Sequence, residues 1–207
     1  MADAVAFIAG LSLPLAFSPF DLFPFAIICP ALLFLIWQAA SPGRAAFRGF
    51  LFGLGMFGLG VSWVYVSLHQ YGNMPAPLAG FAVFLFVAGL SIYPALVGWL
   101  QAKFFPNPGA WHFILVIPAL WVFSEWTRGW FLTGFPWLHL GYSQVATPLA
   151  GYAAWLGVYG VSFLCAVSAG LLVEGMRAPA KFFRRPLPLL VLIWLAGWIA
   201  GQVEWTR

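Results

Sequence analysis

The hydrophobic pattern of this chain consists of long apolar runs, without the one-sided striping of a surface helix or the alternation of a half-buried strand. Seven runs occupy approximately residues 4–20, 23–40, 49–70, 77–102, 111–127, 149–174 and 186–203. A helix needs roughly 17 to 25 mainly apolar residues to cross a bilayer, and each run is close to that length. Turn signals separate them: SPFD at 18–21, SPGR at 41–44, YGNMPAP at 71–77 and FPNPG at 105–109. The pattern predicts an all-α integral membrane protein. Its 207 residues form one transmembrane domain, a bundle of about seven spanning helices with no gap large enough for a soluble domain.

Composition agrees. Hydrophobic residues make up 63% of the chain and charged residues 7%, with a mean hydropathy of +0.95. Nine basic and five acidic residues cannot supply the polar surface of a soluble domain. The basic residues fall between the runs rather than on one face, so they read as topology signals and not as a nucleic-acid footprint. With the N-terminus inside, the inner loops hold Arg44, Arg48, Lys103, Arg177, Lys181, Arg184 and Arg185, and the outer side keeps Arg128 and Arg207. This predicts a cytoplasmic N-terminus and an outward C-terminus at 204–207. The first run lacks a basic leader and a small-residue cleavage pattern, so it reads as a retained helix.

Other features describe packing. Gly49, Gly53, Gly55, Gly58 and Gly60 provide the small-residue spacing that lets membrane helices approach closely. Pro94 predicts a kink in the fourth run. Cys29 and Cys165 lie inside apolar runs and read as packing residues. His69, His112 and His139 lack metal-ligand spacing and read as polar residues at headgroup level, with no metal or cofactor expected.

One stretch breaks the pattern. EWTRGWFLTGFPWLHLGYSQ, at 125–144, brings a carboxylate, a guanidinium, glycines, aromatics and a proline together at the end of the fifth run. Glu125 and Arg128 are three apart and share a helix face, where they can pair and anchor a helix end. The segment 128–148 is too broken to span, so it predicts an interfacial or re-entrant outer loop lining a cavity. In that reading Arg128 contacts a phospholipid phosphate, with Trp130, Phe135 and Trp137 against acyl chains. Asp21 faces outward and reads as a turn-forming carboxylate within reach of the same cavity.

FSPFD at 17–21, GVSWVYVSL at 60–68, GNMP at 72–75 and above all RGWFLTGFPWLHLGYSQ at 128–144 resemble the membrane part of bacterial apolipoprotein N-acyltransferases. The resemblance implies a multi-pass enzyme of the bacterial inner membrane, with a periplasmic C-terminus to these residues. It implies transfer of an acyl chain from a phospholipid, typically phosphatidylethanolamine, through a cysteine thioester. The acceptor is the α-amino group of the diacylglyceryl-cysteine of an apolipoprotein. In the family a periplasmic nitrilase-like domain with a Glu–Lys–Cys triad carries the chemistry, and that domain is expected to be absent from these residues and supplied in cis or in trans. Lys103 and Lys181 are both placed inside and both cysteines lie in apolar spans, so no catalytic residue is expected here. The residues matching the family motif, Glu125, Arg128, Trp130, Thr133, Pro136, Trp137, Tyr142, Ser143 and Gln144, are implied to form the floor or mouth of a lipid cavity. Asp21, Trp63 and Tyr65 are further candidates.

Two other classes remain open from the sequence. The chain could be a non-enzymatic lipid-binding scaffold for a separately encoded catalytic partner. A small transporter is the third, and it predicts ionisable residues inside the bundle at mid-depth, which the positions of Glu125, Arg128 and Glu174 near run ends do not suggest.

Overall fold

The computed structural model describes residues 1–107 and 109–203, and every regular element among them is helical. Pro108 of the FPNPG turn and the outward-placed segment 204–207 lie outside the described residues. Helix α1 (Ala2–Ser12) passes into a 3-10 turn at Leu13–Ala16, and a turn with a cis Ser18–Pro19 bond leads to α2 (Phe25–Trp37). Next come α3 (Pro42–Gly60) and the short α4 (Trp63–Val66), which continues as a π-helical turn at Ser67–Tyr71. Helix α5 (Ala76–Phe104) is followed by a π-helical turn at His112–Val116 that runs into α6 (Ile117–Arg128). Beyond a loop built of 3-10 turns, α7 (Ala153–Arg177), α8 (Pro179–Phe182) and α9 (Pro186–Ala200) complete the order.

Two helical stretches are long and apolar enough to cross a membrane, Ala76–Phe104 and Pro148–Arg177, the second beginning as a 3-10 turn at Pro148–Tyr152 and kinked at Gly157, where φ is 63°. A third span results if α3 and the segment Trp63–Tyr71, bent by 52°, count as one. The first, second and last apolar runs hold shorter helices than the hydropathy pattern predicts, Ala2–Ala16, Phe25–Trp37 and Pro186–Ala200. Pro14 turns the first run into 3-10 geometry, and Pro24 starts α2 late, so Leu13, Leu15 and Phe23 are apolar without belonging to an α-helix.

Glycines set the spacing of the first layer. A Cβ on Gly49 or Gly53 would run into Pro94 and Ser91 of α5, and one on Gly55 would meet Phe7 and Leu11 of α1. Gly60 packs against Leu138, whereas Gly58 faces open space. Helix α5 continues through Pro94 as one element, with the proline ring over Gly53. Gly98 meets Ala45 while Gly53 meets Ser91, so α3 and α5 run antiparallel. Gly170 of α7 meets Phe113 and Gly129 meets Tyr159, which makes the segment 112–128 and α7 antiparallel as well. Phe34, Phe52 and Trp121 meet edge to face at 6.0 to 6.2 Å in the core.

This up-and-down order sorts the charges. Asp3 pairs with Arg48 at 3.1 Å and Arg44 at 3.6 Å, and Arg48 also donates to the carbonyl of Ile36. Glu174 pairs with Arg177, and Gln101 with His112, at the same end of the bundle. Arg128 and the exposed Asp21 lie at the other end.

Candidate functional site

Trp121, Glu125 and Arg128 lie at helical spacing on one face of α6. Their position at the end of an apolar run suggested an interfacial setting, but Glu125 is 2% and Arg128 3% exposed. The segment after α6 folds back over the helix end and covers it, so two ionisable side chains do face the interior. The anticipated ion pair does not form: no nitrogen–oxygen contact within 4.0 Å joins them among the described residues. Each charge instead holds loop backbone. Glu125 Oε1 accepts from Trp121 Nε1 at 3.0 Å and from the Leu140 amide at 2.9 Å. Arg128 Nη1 donates to the carbonyls of Phe135, at 2.9 Å, and Trp137, and the Phe135 amide returns a bond to the Arg128 carbonyl at 2.7 Å. The guanidinium carbon stands 5.1 Å from the centre of the Phe57 ring.

The loop is hydrogen-bonded along its length. The Gly141 amide donates to Ser162 Oγ at 2.8 Å, Ser143 Oγ to the Leu140 carbonyl at 2.7 Å, and Gln144 Nε2 to Ser143 Oγ at 2.8 Å. Thr147 Oγ1 donates toward Gln144 Oε1 at 3.0 Å. Leu132, Thr133 and Gly134 have φ of 50°, 76° and 82° in succession, which costs a β-branched residue such as Thr133 on the order of 1–3 kcal/mol. At Gly134 a side chain would also strike the backbone of Gly129. His139, expected at headgroup level, is fully buried, 5.8 Å from the parallel ring of Tyr142 and 5.5 Å from Tyr159. Neither of its ring nitrogens has a hydrogen-bond partner among the described residues. Burial, helped by the nearby Arg128 cation, pushes its pKa down to about 3 and keeps the ring neutral.

Beneath the loop, α5 and α6 leave a cavity of about 750 Å³. Its walls are apolar, with Leu85, Leu96, Leu120 and Phe123 among them, and polar groups come from Tyr93, Ser124, Thr127, Arg128 and Thr133. The hydrogen bonds of Arg128 use Nη1, and Nε and Nη2 make none among the described residues. A single fixed cation in an apolar cleft suits an anionic group attached to an apolar body.

The structure brings together some of the residues singled out in the sequence. Arg128 and Thr133 line the cavity, and Glu125 stands one helical turn behind Arg128. Trp137 stacks on Phe135 at 5.6 Å and approaches Trp63 at 5.4 Å, while Phe135 meets Phe86 of α5 at 5.0 Å, so Pro136 sits inside an aromatic chain crossing the loop. Trp130 is exposed and packs on Trp126 at 5.4 Å. Tyr142 covers His139, and Ser143 and Gln144 are buried in the loop's own network. Tyr65 packs on His69, and Asp21 sits in its turn at φ 53°; neither lines the cavity. Trp121, Ser162, Tyr93 and Gly89 were not singled out in the sequence. Trp121 was recoverable, since it precedes Glu125 by four residues on one helix face. The thiols of Cys29 and Cys165 are buried, and Lys103 stacks on Trp99 at the other end. No group of three His, Cys, Asp or Glu side chains suited to a metal occurs among the described residues.

Residues 9–171 match the family model described as the apolipoprotein N-acyltransferase N-terminal domain. The chain belongs to this family. It is 43% identical to the apolipoprotein N-acyltransferase of Coxiella burnetii, in an alignment covering 100% of this chain and 43% of that protein. For the apolipoprotein N-acyltransferases of Methylococcus capsulatus and Nitrosomonas europaea the identities are 44% and 43%, covering 98% of this chain and 40% of each relative. The chain thus spans about two fifths of the length of the curated relatives it matches. Family membership makes it part of an acyltransferase lineage and agrees with the apolar helices of a membrane protein.

Proposed function

We propose that these residues form the membrane platform of an apolipoprotein N-acyltransferase, a bundle that crosses the bacterial inner membrane seven times with its N-terminus in the cytoplasm. The platform receives a phospholipid from the outer leaflet and holds it beneath a periplasmic nitrilase-like domain, supplied in cis or in trans. That domain takes the acyl chain as a cysteine thioester and passes it to the α-amino group of a diacylated apolipoprotein. The observation that carries the reading is the α5–α6 cavity with Arg128 in its wall, capped by the family's motif loop.

The division of labour follows from the side chains. Apolar walls take an acyl chain, and the Nε and Nη2 groups of Arg128 take a phosphate oxygen by charge-assisted hydrogen bonds. Its Nη1, fixed by Phe135 and Trp137, holds the guanidinium in place, so the headgroup is positioned without reorganisation. Glu125 acts through the loop rather than on the lipid, by fixing Leu140. Acyl transfer itself is assigned to the nitrilase-like domain, because no lysine, thiol and carboxylate converge near the cavity among the described residues.

The experiment is acyl transfer from phosphatidylethanolamine to a diacylated lipopeptide, measured for the chain together with its nitrilase-like domain, in cis or in trans, and for the Gly89→Trp variant of the same assembly. Gly89 lines the cavity and a Cβ there meets nothing within 4 Å, so this wall has room for the start of a larger side chain. The expected result is a fall of at least about tenfold in kcat/KM for the phospholipid. Unchanged kcat/KM with the indole in place would overturn the assignment of the cavity.

A further inference from the structure

The other end of the bundle carries a second lipid-shaped feature, independent of the loop. Helix α7 ends at Arg177, Ala178 breaks the helical path, and Pro179 opens the single turn of α8. The Lys181 carbonyl accepts from the amides of Arg184 and Arg185 at 3.0 and 3.1 Å, which gathers Lys181, Arg184 and Arg185 into one exposed turn. None of the three has an acidic partner within 4.0 Å among the described residues. The nearby acids are already engaged: Asp3 pairs with Arg44 and Arg48, and Glu174 pairs with Arg177. Glu125 and Asp21 lie toward the opposite end.

This turn sits beside a groove of about 480 Å³ between α2, α7 and α8. Ile28 and Leu32 form one wall, Leu172 and Met176 the other, and Phe182 and Phe183 close it toward the cations. Gly175 makes the closure possible, because a side chain there would collide with the Phe182 ring. Every residue lining the groove is apolar, and Ile28, Met176 and Phe183 are exposed on its rim. Topology alone accounts for cations at this end. It does not account for three cations without acidic partners, among the described residues, in the same turn as the groove-lining Phe182 and Phe183.

We propose that this groove is a binding site for an anionic phospholipid of the leaflet at the basic end of the bundle. One acyl chain lies against Ile28, Leu32, Leu172 and Met176, and the phosphate-bearing headgroup meets Lys181, Arg184 and Arg185. Charge complementarity selects the occupant: a zwitterionic lipid brings its own cation to a turn that already holds three, whereas a net negative headgroup is attracted by each of them. The lipid fixes α8 and thereby the angle between α7 and α9, which the turn joins.

The test uses the purified 207-residue chain in neutral detergent. Native mass spectrometry with phosphatidylglycerol and phosphatidylcholine vesicles as lipid sources is expected to give a retained phosphatidylglycerol adduct and a raised melting temperature. The K181Q/R184Q/R185Q variant is expected to weaken phosphatidylglycerol binding by roughly a hundredfold and to remove the preference. Leu32→Trp, which fills the groove and leaves the cations, is expected to abolish retention in the Gly89→Trp background, where the α5–α6 cavity is closed, with helicity unchanged. Dihexanoyl phosphatidylglycerol and inorganic phosphate are expected to bind weakly, because they lack a long chain. Equal retention of the two long-chain lipids by the original chain overturns the proposal. So does a preference that survives the triple glutamine variant, or tight binding of phosphate alone. Gly89→Trp leaves this site intact, so failure here is separable from failure of the α5–α6 cavity.

Discussion

Replacing Arg128 by methionine tests the loop architecture directly. The side chain retains much of its length and loses its charge, its two carbonyl partners and its contact with Phe57. Hydrogen bonds to a charged group contribute about 1.5 to 3 kcal/mol each. Loss of the guanidinium also removes the attraction of a nearby cation from the Glu125 carboxyl, 2% exposed, although the two make no direct ion pair. These contributions overlap, so we expect about 3 to 5 kcal/mol of local destabilisation rather than their sum. The assay is amide hydrogen exchange of the purified chain, read at Phe135 and Leu140, whose amides are bonded to the Arg128 carbonyl and to Glu125. Exchange there should accelerate on the order of 10² to 10³-fold, while α3 and α5 keep their protection. Adding Glu125→Gln, which keeps an acceptor for Leu140 without the charge, should recover at least about 1 kcal/mol. Loop exchange that stays at the original rate in Arg128→Met would refute the clamp.

Three further outcomes follow from the same geometry. His139→Phe should leave the fold intact or raise its melting temperature, since both ring nitrogens are buried without partners; clear destabilisation would reveal a hidden one. The unfolded chain takes up a proton on His139 near 6.5 and the folded chain only near 3, so stability should be flat above pH 6.5 and fall as pH drops toward 3. That slope should shrink in His139→Phe when melting is followed against pH. Gly134→Ala should disorder the loop by at least about 1 kcal/mol, because φ is +82° and the methyl group meets the Gly129 backbone; loop exchange equal to that of the original chain would contradict this.

The all-helical character was legible in the sequence because apolar runs and turn residues report it locally. The glycine spacing in α3 also carried over, with Gly49, Gly53, Gly55 and Gly60 in close contacts and Gly58 in open space. Hydropathy overestimated helix length where Pro14 and Pro24 convert apolar residues into turns. At the site, the motif 125–144 was visible as an interruption, but its burial was not. Glu125 and Arg128 are terminal in the sequence of α6 and interior in space, since the following loop folds back over them. Their pairing was inferred from helical spacing, yet both turn to backbone partners 7 to 15 residues ahead, which no local pattern encodes. Ser162 and Tyr93 were hidden for the same reason: each reaches the site from a different helix.

The most direct measurement is phosphatidylethanolamine retention by the purified chain in native mass spectrometry, compared with its Gly89→Trp variant. The account predicts one retained lipid in the original chain and its loss when the indole occupies the α5–α6 cavity, at unchanged melting temperature. Equal retention by the two proteins would contradict it.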